Sequence, residues 1–345
     1  MSAKKTEEQD QTLSDVVAAI EKKYGRGTII KLSEQSAIPI PVIPTGSLAL
    51  DLALGVGGIP RGRVTELYGA EGSGKSTLCL HLVAQVQREG GNALYVDLEH
   101  SFDPAYARAC GIRLDDLHFC QPASGEEALQ IVDSFMRSGA VSLIVIDSVA
   151  AITPLAEIEG DIGDQHVGRV ARLMSQTLRQ FVGTAHRSTT ALVFVNQLRE
   201  KVGQMSMHGG PMETTPGGRA LKFFASIRLE LRRRELVKEG DAAVGLRVKA
   251  KVAKSKVSTP FREAEFVIVF GHGIDRTSEL LDIGVEKEVL RKAGSFYYYG
   301  ETRLGQGREA ARQYLLEHAE TAAVVEAAIR TTLGGENTAN VLKIG

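Results

Sequence analysis

Short apolar runs separated by stretches of helical spacing set the rhythm of this chain. Residues Arg63–Tyr68 alternate apolar and polar side chains, as a strand does. Asn92–Leu98, Leu143–Ser148 and Ala191–Gln197 are more continuously apolar, and each ends in polar residues. Helical stretches intervene, so these runs read as parallel strands covered on both faces. Ser124, with Glu127 three residues on, marks the start of one such helix. Further strands are predicted near 227–231, 246–253 and 264–270. Ahead of the core, residues 1–11 read as polar and frayed. From Thr12, residues Leu13, Val16, Val17 and Ile20 then share one helical face, and Gly25 stops the helix. Pro39, Pro41 and Pro44 make 33–47 an extended linker. Beyond Gly273 the pattern becomes mixed: a helix from Glu279 to Leu290, a hairpin-like aromatic piece at 295–300, and two helices, 307–318 and 319–333. The fold class is therefore α/β, with a mostly parallel central sheet, an N-terminal helix and a small C-terminal α+β domain. The expected divisions are an N-terminal segment 1–33, whose helix packs on its own body or serves oligomerisation by packing on a neighbour, a core 34–270, a small domain 271–335 and a tail 336–345.

One loop adds chemistry to this outline. Gly69-Ala70-Glu71-Gly72-Ser73-Gly74-Lys75-Ser76-Thr77 fits the G-x-x-x-x-G-K-[ST] pattern between a predicted strand and a predicted helix. Glycines there let backbone N–H groups close around phosphate oxygens, and the helix N-terminus adds partial positive charge. Lys75 would reach the β- and γ-phosphates, and the Ser76 hydroxyl would hold Mg²⁺. The chain binds a nucleoside triphosphate on this reading.

Composition narrows the partners. Lys and Arg total 41 against 42 Asp and Glu, for a net charge of −1, so nucleic acid would have to be met by a local basic patch. Cys79, Cys110 and Cys120 have no paired metal-ligand spacing, and their odd number argues against a disulfide framework. The N-terminus lacks an apolar signal core and no run is long enough to span a bilayer, so the expected location is cytoplasmic, with no membrane partner.

In open parallel sheets ligands bind beyond the carboxyl ends of the strands. Asp147 ends one strand, where it would serve a Mg²⁺ site or cap a neighbouring helix. Glu99, just past Asp97, would position and deprotonate an attacking water. Gln197 would sense a γ-phosphate or merely cap its strand. Residues 159–168 and 198–218 are glycine-punctuated and read as mobile binding loops. Arg169, Arg172, Arg179, Arg199, Lys201 and Arg219 lie in or beside them, which supplies the local patch, or else a solvated basic surface. Lys254 and Lys256, at i and i+2 on a strand, point the same way; they cover apolar surface or bring positive charge to a triphosphate on an adjacent subunit.

These stretches resemble the bacterial RecA recombinase family over roughly residues 12–335. The likeness rests on the glycine loop, Tyr95–Pro104, Leu143–Ala151, Ala156–Gly163, Val195-Asn196-Gln197 and Pro216–Phe223. It implies a P-loop NTPase core of the RecA type, with ATP and Mg²⁺ as cofactors. It further implies a helical homo-oligomeric filament on single-stranded DNA that pairs and exchanges strands with double-stranded DNA and stimulates self-cleavage of an SOS repressor. By position, Glu99 resembles the catalytic glutamate, with Lys75, Gln197, Lys254 and Lys256 completing the catalytic set. Gly69, Glu71, Gly72, Ser73, Gly74, Lys75, Ser76 and Thr77 would hold the phosphates, Asp103 and Tyr106 the adenine, and Ser76 with Asp147 the metal. Arg169, Arg172, Ser175, Arg179, Arg199, Lys201, Gly203, Gly217, Gly218 and Arg219 would meet DNA. Phe223 resembles the residue coupling nucleotide to filament, and the N-terminal helix the piece that packs on the next subunit.

Three departures stand out. The second loop is longer than usual between Gly203 and Glu213, with Met205, Met207 and Met212. Pro216 and Arg219 replace small polar residues, which makes individual DNA contacts there less secure. Thr331–Gly345 carries only Glu336 and Lys343 in place of an acidic tail, so weaker autoinhibition of duplex binding is expected. The same core would also suit a ring-forming helicase or clock-type ATPase, against which the N-terminal helix and the small C-terminal domain argue. A nucleotide-dependent regulator indifferent to DNA is disfavoured by the paired glycine-rich loops with their arginines.

Overall fold

The structure, a computed structural model, describes residues 2–29, 40–160, 168–205 and 211–341. Helix α1 (Ser2–Tyr24) belongs to a unit of its own, residues 1–40. It begins ten residues before the expected start at Thr12, and Gly25 closes it with φ +104° and a 2.8 Å bond from its N–H to Glu21 O. Residues 33–39 of the expected linker lie outside the described residues.

The second unit, residues 41–345, is built on a nine-stranded sheet. Two short paired strands, β1 (Val42–Ile43) and β2 (Ile59–Pro60), and helix α2 (Leu48–Leu54) precede it. The sheet strands are β3 (Val64–Gly69), β4 (Ala93–Asp97), β5 (Leu117–Cys120), β6 (Leu143–Asp147), β7 (Ala191–Gln197), β10 (Ile227–Glu239), β11 (Ala242–Ser255), β12 (Glu263–Val269) and β13 (Gly273–Ile274). A separate two-stranded hairpin, β8 (Arg199–Met205) with β9 (Pro211–Thr214), follows β7. The sheet order is β13-β12-β11-β10-β3-β7-β6-β4-β5, parallel from β10 to β5 and antiparallel from β10 to β13.

Both faces of the central strands are buried, which is why they read as unbroken apolar runs. In β6, Leu143 and Val145 enter one core cluster, while Ile144 and Ile146 enter the other. Helix α3 (Lys75–Arg88) packs into the first cluster; α5 (Gly125–Ser138), α7 (Arg169–Ser188) and α8 (Ala220–Phe224) pack into the second. Between α3 and α5 lies α4 (Pro104–Ala109), and between α5 and α7 the short α6 (Leu155–Ile158). The Ser124 hydroxyl caps α5 by accepting from Glu127 N, and Glu127 reaches back to Ala123 N.

Strands β10 and β11 run well past the predicted 227–231 and 246–253. The pairing of β10 with β3 ends at buried Leu231, and beyond it Arg232–Arg234 are exposed. A ribbon wet on both sides has no apolar alternation to read. The small domain consists of α9 (Arg276–Glu286), the antiparallel sheet β14 (Arg291–Ala293), β15 (Phe296–Tyr299), β16 (Thr302–Gln306), and helices α10 (Arg308–Glu317) and α11 (Ala319–Val341). The aromatic stretch forms the middle strand of three where a hairpin was expected, and α11 continues through residues assigned to the tail. The domain has its own core, around Leu281, Leu290, Tyr297, Leu315 and Ile329, to which α2 adds Leu48.

Candidate nucleotide and nucleic-acid site

The glycine loop joins β3 to α3. A Cβ on Gly69 would lie 2.2 Å from Leu231 O, and one on Gly74, whose φ is +90°, would lie 2.4 Å from the Ile268 side chain. A side chain at Gly69 would run into backbone and one at Gly74 would be strained by its left-handed φ, so the loop stays pressed against β10 and β12. Glu71 and Gly72 are exposed at the tip, and Ser73 is fully buried with its hydroxyl unpartnered. Lys75 donates to the carbonyls of Gly69 (3.2 Å) and Ala70 (2.8 Å). Burial lowers its pKa, opposed by the carboxylates of Asp147 and Glu99.

Three strand ends converge on this loop. Asp147, at the end of β6, accepts from Ser76 Oγ and from Tyr95 OH, both at 2.8 Å. Burial raises its pKa, and those two bonds act against the rise. At the end of β4, Asp97 is 1 % exposed and folds the next segment around itself, accepting from Ser101 N, Phe102 N and Gln121 Nε2. That bend presents Glu99, whose Oε1 accepts from Ser148 Oγ and from Gln197 Nε2 (2.7 Å). Gln197 ends β7, so the acid, the amide and the phosphate loop sit side by side. Asp103 caps α4 by accepting from Ala105 N (2.8 Å) and Tyr106 N (3.1 Å). The Tyr106 hydroxyl lies 3.0 Å from Thr77 Oγ1, which brings a half-buried ring beside the start of α3, and burial pushes its pKa up to about 12.

The reading by residue pattern missed Tyr95, Asp97, Ser148 and Asn196 as supports. Alternation placed Tyr95 and Asp97 on the Asp147 side of β4, a usable signal. Nothing local marks Ser148 or Asn196, whose partners lie 49 and 130 residues away.

The basic residues divide among elements. Arg169, Arg172 and Arg179 are exposed along α7, where i, i+3 and i+10 spacing keeps them on one stripe. Ser175 and Arg219 line a groove of about 410 Å³ between α7 and α8. Gly217 (φ +81°) and Gly218 (φ +76°) run tight against Val149 and Ala171. Arg199 is exposed at the start of the hairpin, while Lys201 and Gly203 are placed by their backbone alone, on β8. The hairpin is a finding: no apolar period predicts β8 and β9. The first loop has residues 161–167 outside the described set, and the second 206–210. Lys254 and Lys256 are not brought to the glycine loop of their own chain. Lys254 Nζ donates to Lys222 O (2.7 Å) and Phe223 O (2.9 Å), and Lys256 Nζ to Phe223 O (3.3 Å), at the end of α8. Phe223 itself is 72 % exposed. Among the described residues no helix is long and apolar enough to cross a membrane, and no His, Cys, Asp and Glu group forms a metal cluster.

A parallel sheet with a G-x-x-x-x-G-K-[ST] loop after β3, an acid ending β6 two strands away and helices on both faces defines the P-loop NTPase fold class. Residues 11–275 match the family model of the RecA N-terminal domain, and 278–334 that of the RecA C-terminal domain. Protein RecA of Levilactobacillus brevis is 52% identical over 328 residues, 95% of this chain and 86% of that protein. Protein RecA of Herpetosiphon aurantiacus is 52% identical over 335 residues (97% and 92%), and that of Salinispora tropica 53% over 327 residues (95% and 93%). The chain belongs to the RecA family.

Proposed function

We propose that this protein is a DNA-dependent ATPase of homologous recombination. It assembles as a helical filament on single-stranded DNA, pairs that strand with homologous duplex and exchanges strands. The observation that carries the reading is the 2.7 Å bond from Gln197 to Glu99. It ties a carboxylate suited to activating water to the strand residue that leads into a long loop flanked by arginines, so hydrolysis and DNA grip share one contact.

Lys75 and the loop N–H groups bind the β- and γ-phosphates. Ser76 and Asp147 offer hard oxygen donors that suit Mg²⁺, which neutralises phosphate charge when bound. Asp103 and the ring of Tyr106 receive the adenine. Glu99 takes the proton of the attacking water, with Ser148 and Gln197 fixing its carboxylate. Lys254 and Lys256 complete the site of the adjacent protomer, so full turnover belongs to the assembly, which residues 1–33 help to build. The arginines of α7, with Ser175, Arg199, Lys201, Gly203, Gly217, Gly218 and Arg219, hold DNA through its phosphates, which sets register without reading sequence. The same filament, working in the cytoplasm, promotes self-cleavage of an SOS repressor.

The test is ATP hydrolysis with and without single-stranded DNA across a salt series. Stimulation that fades as salt rises is expected, because phosphate contacts release counterions. Turnover indifferent to DNA would leave a nucleotide switch without a recombination role.

A further inference from the structure

Glu66 sits in the middle of β3, at the centre of the sheet, with 0 % exposure. The strands around it are apolar, and a buried ion pair at such a place is commonly replaceable by apolar side chains without loss of stability. Its two partners explain the carboxylate better than stability does. Arg228 on β10, directly opposite in register, donates through Nε to Glu66 Oε2, and its guanidinium lies 4.4 Å from the Tyr68 ring. On the other side, Asn196 Nδ2 donates to Glu66 Oε1 at 3.0 Å.

Asn196 uses both amide protons and its oxygen to join Glu66 to the base of the second loop. Its other Nδ2 proton goes to Pro216 O (3.1 Å), and its Oδ1 accepts from Gln197 N (3.0 Å). One side chain thus pins both ends of the 198–215 excursion, and Glu66 holds that side chain in its orientation. In the other direction, Arg228 faces Lys254 across the β10–β11 pairing. A single row of side chains therefore runs from Lys254 through Arg228 and Glu66 to Asn196, and from there by the backbone to Gln197 and Glu99.

We propose that Glu66 is a positioning residue: acting through Asn196, it closes the base of the second loop and ties the nucleotide contact of Gln197 to the lysine pair offered to the adjacent protomer. This rests on the functional reading above. With Glu66 in place, the loop ends and the Gln197 side chain move as one body. An amide in its place leaves one acceptor oxygen where Arg228 and Asn196 each used their own, so the two can no longer both be held, and nucleotide and DNA sites respond separately.

The experiment compares the single-stranded DNA affinity of the full chain with a non-hydrolysable ATP analogue and with ADP, for wild type, Glu66→Gln, Asn196→Ala and the double variant. The wild-type ratio of the two affinities is expected to fall at least about tenfold in Glu66→Gln. The double variant is expected to be no worse than Asn196→Ala, because residues acting through one contact are not additive. Additive losses, or a ratio unchanged in Glu66→Gln, would overturn the proposal. A merely structural role would lower the thermal midpoint and weaken DNA binding equally with both nucleotides. Should Glu66→Gln fail to fold, Glu66→Leu with Arg228→Met leaves no lone buried charge; it is expected to fold and to show the same lost ratio, and a retained ratio would overturn the proposal. A wild-type protein whose DNA affinity ignores the nucleotide would instead refute the functional reading.

Discussion

At the scale of single residues, the site is a set of donors waiting on a few acceptors. Lys75 is buried and donates to two loop carbonyls, which hold its ammonium against the glycine loop. Lys75→Ala is expected to abolish ATP binding or turnover, measured by nucleotide titration and phosphate release; wild-type turnover in that variant would refute the assignment. Glu99→Gln keeps an acceptor oxygen for Ser148 and Gln197 but removes the base. Hydrolysis should slow by on the order of 10²–10⁴ while ATP still binds, the usual range for a lost general base. Weakened ATP binding in that variant would make Glu99 a structural residue. His81 supplies a third case. Its Nε2 accepts from Ile274 N at 2.8 Å, and burial, then Arg88 and Arg276, lowers its pKa from 6.5 to about 4. The folded state therefore binds the proton more weakly than the unfolded chain. Its stabilising effect is full above pH 6.5, is lost as pH falls toward 4, and amounts to on the order of 3 kcal/mol from a shift of that size. Denaturant unfolding at pH 7.5 and pH 4.5 should show this loss in wild type and much less of it in His81→Gln. An equal loss in both would show that other groups carry it.

At the scale of elements, the glycine loop is held by close approach as much as by its own turn. Gly69→Ala would drive a methyl into Leu231 O, a backbone atom that cannot swing aside, where a flexible side chain could. Overpacking of this kind costs about 1–3 kcal/mol, and the parting of β3 from β10 should also disturb nucleotide binding. Thermal melts and ATP titration of Gly69→Ala check both; a variant with native stability would mean that β10 yields locally. The predicted strands β4, β6 and β7 were legible because a strand buried on two faces is largely apolar, while β3, with Thr65 and Glu66 buried in it, was legible from its alternation. The hairpin β8–β9 and the outer part of β10 were not: neither carries an apolar period, Arg232–Leu236 of β10 are exposed, and strand pairing comes from backbone bonds that any polar sequence can make. Helix α1 extends ahead of Thr12 for a related reason: its first turns are polar and carry no period to read.

At the scale of the whole molecule, the lysine pair is decisive. Lys254 and Lys256 cap the end of α8 in their own chain and make no hydrogen bond to its glycine loop. If each complete site draws on two protomers, Lys75→Ala and Lys254→Ala chains, inactive alone, should recover activity when mixed. Random pairing in equal amounts restores roughly a quarter of the interfaces, because a head-to-tail contact uses different surfaces of the two chains. Mixed chains no more active than either alone would place the lysines outside the site.

By itself the sequence determined the fold class, the phosphate loop and the acids at the strand ends, because each is written locally. Burial on two faces demands apolar runs, tight loops demand glycine, and a strand that delivers a carboxylate must end in one. Tertiary structure alone decided which of these meet. The bond from Gln197 to Glu99 spans 98 residues, that from Asn196 to Glu66 spans 130, and that from Ser47 to Glu279 spans 232. Such contacts leave no periodic trace, since the order β10-β3-β7-β6-β4 is fixed by packing and chain crossovers, and only that order makes distant residues neighbours.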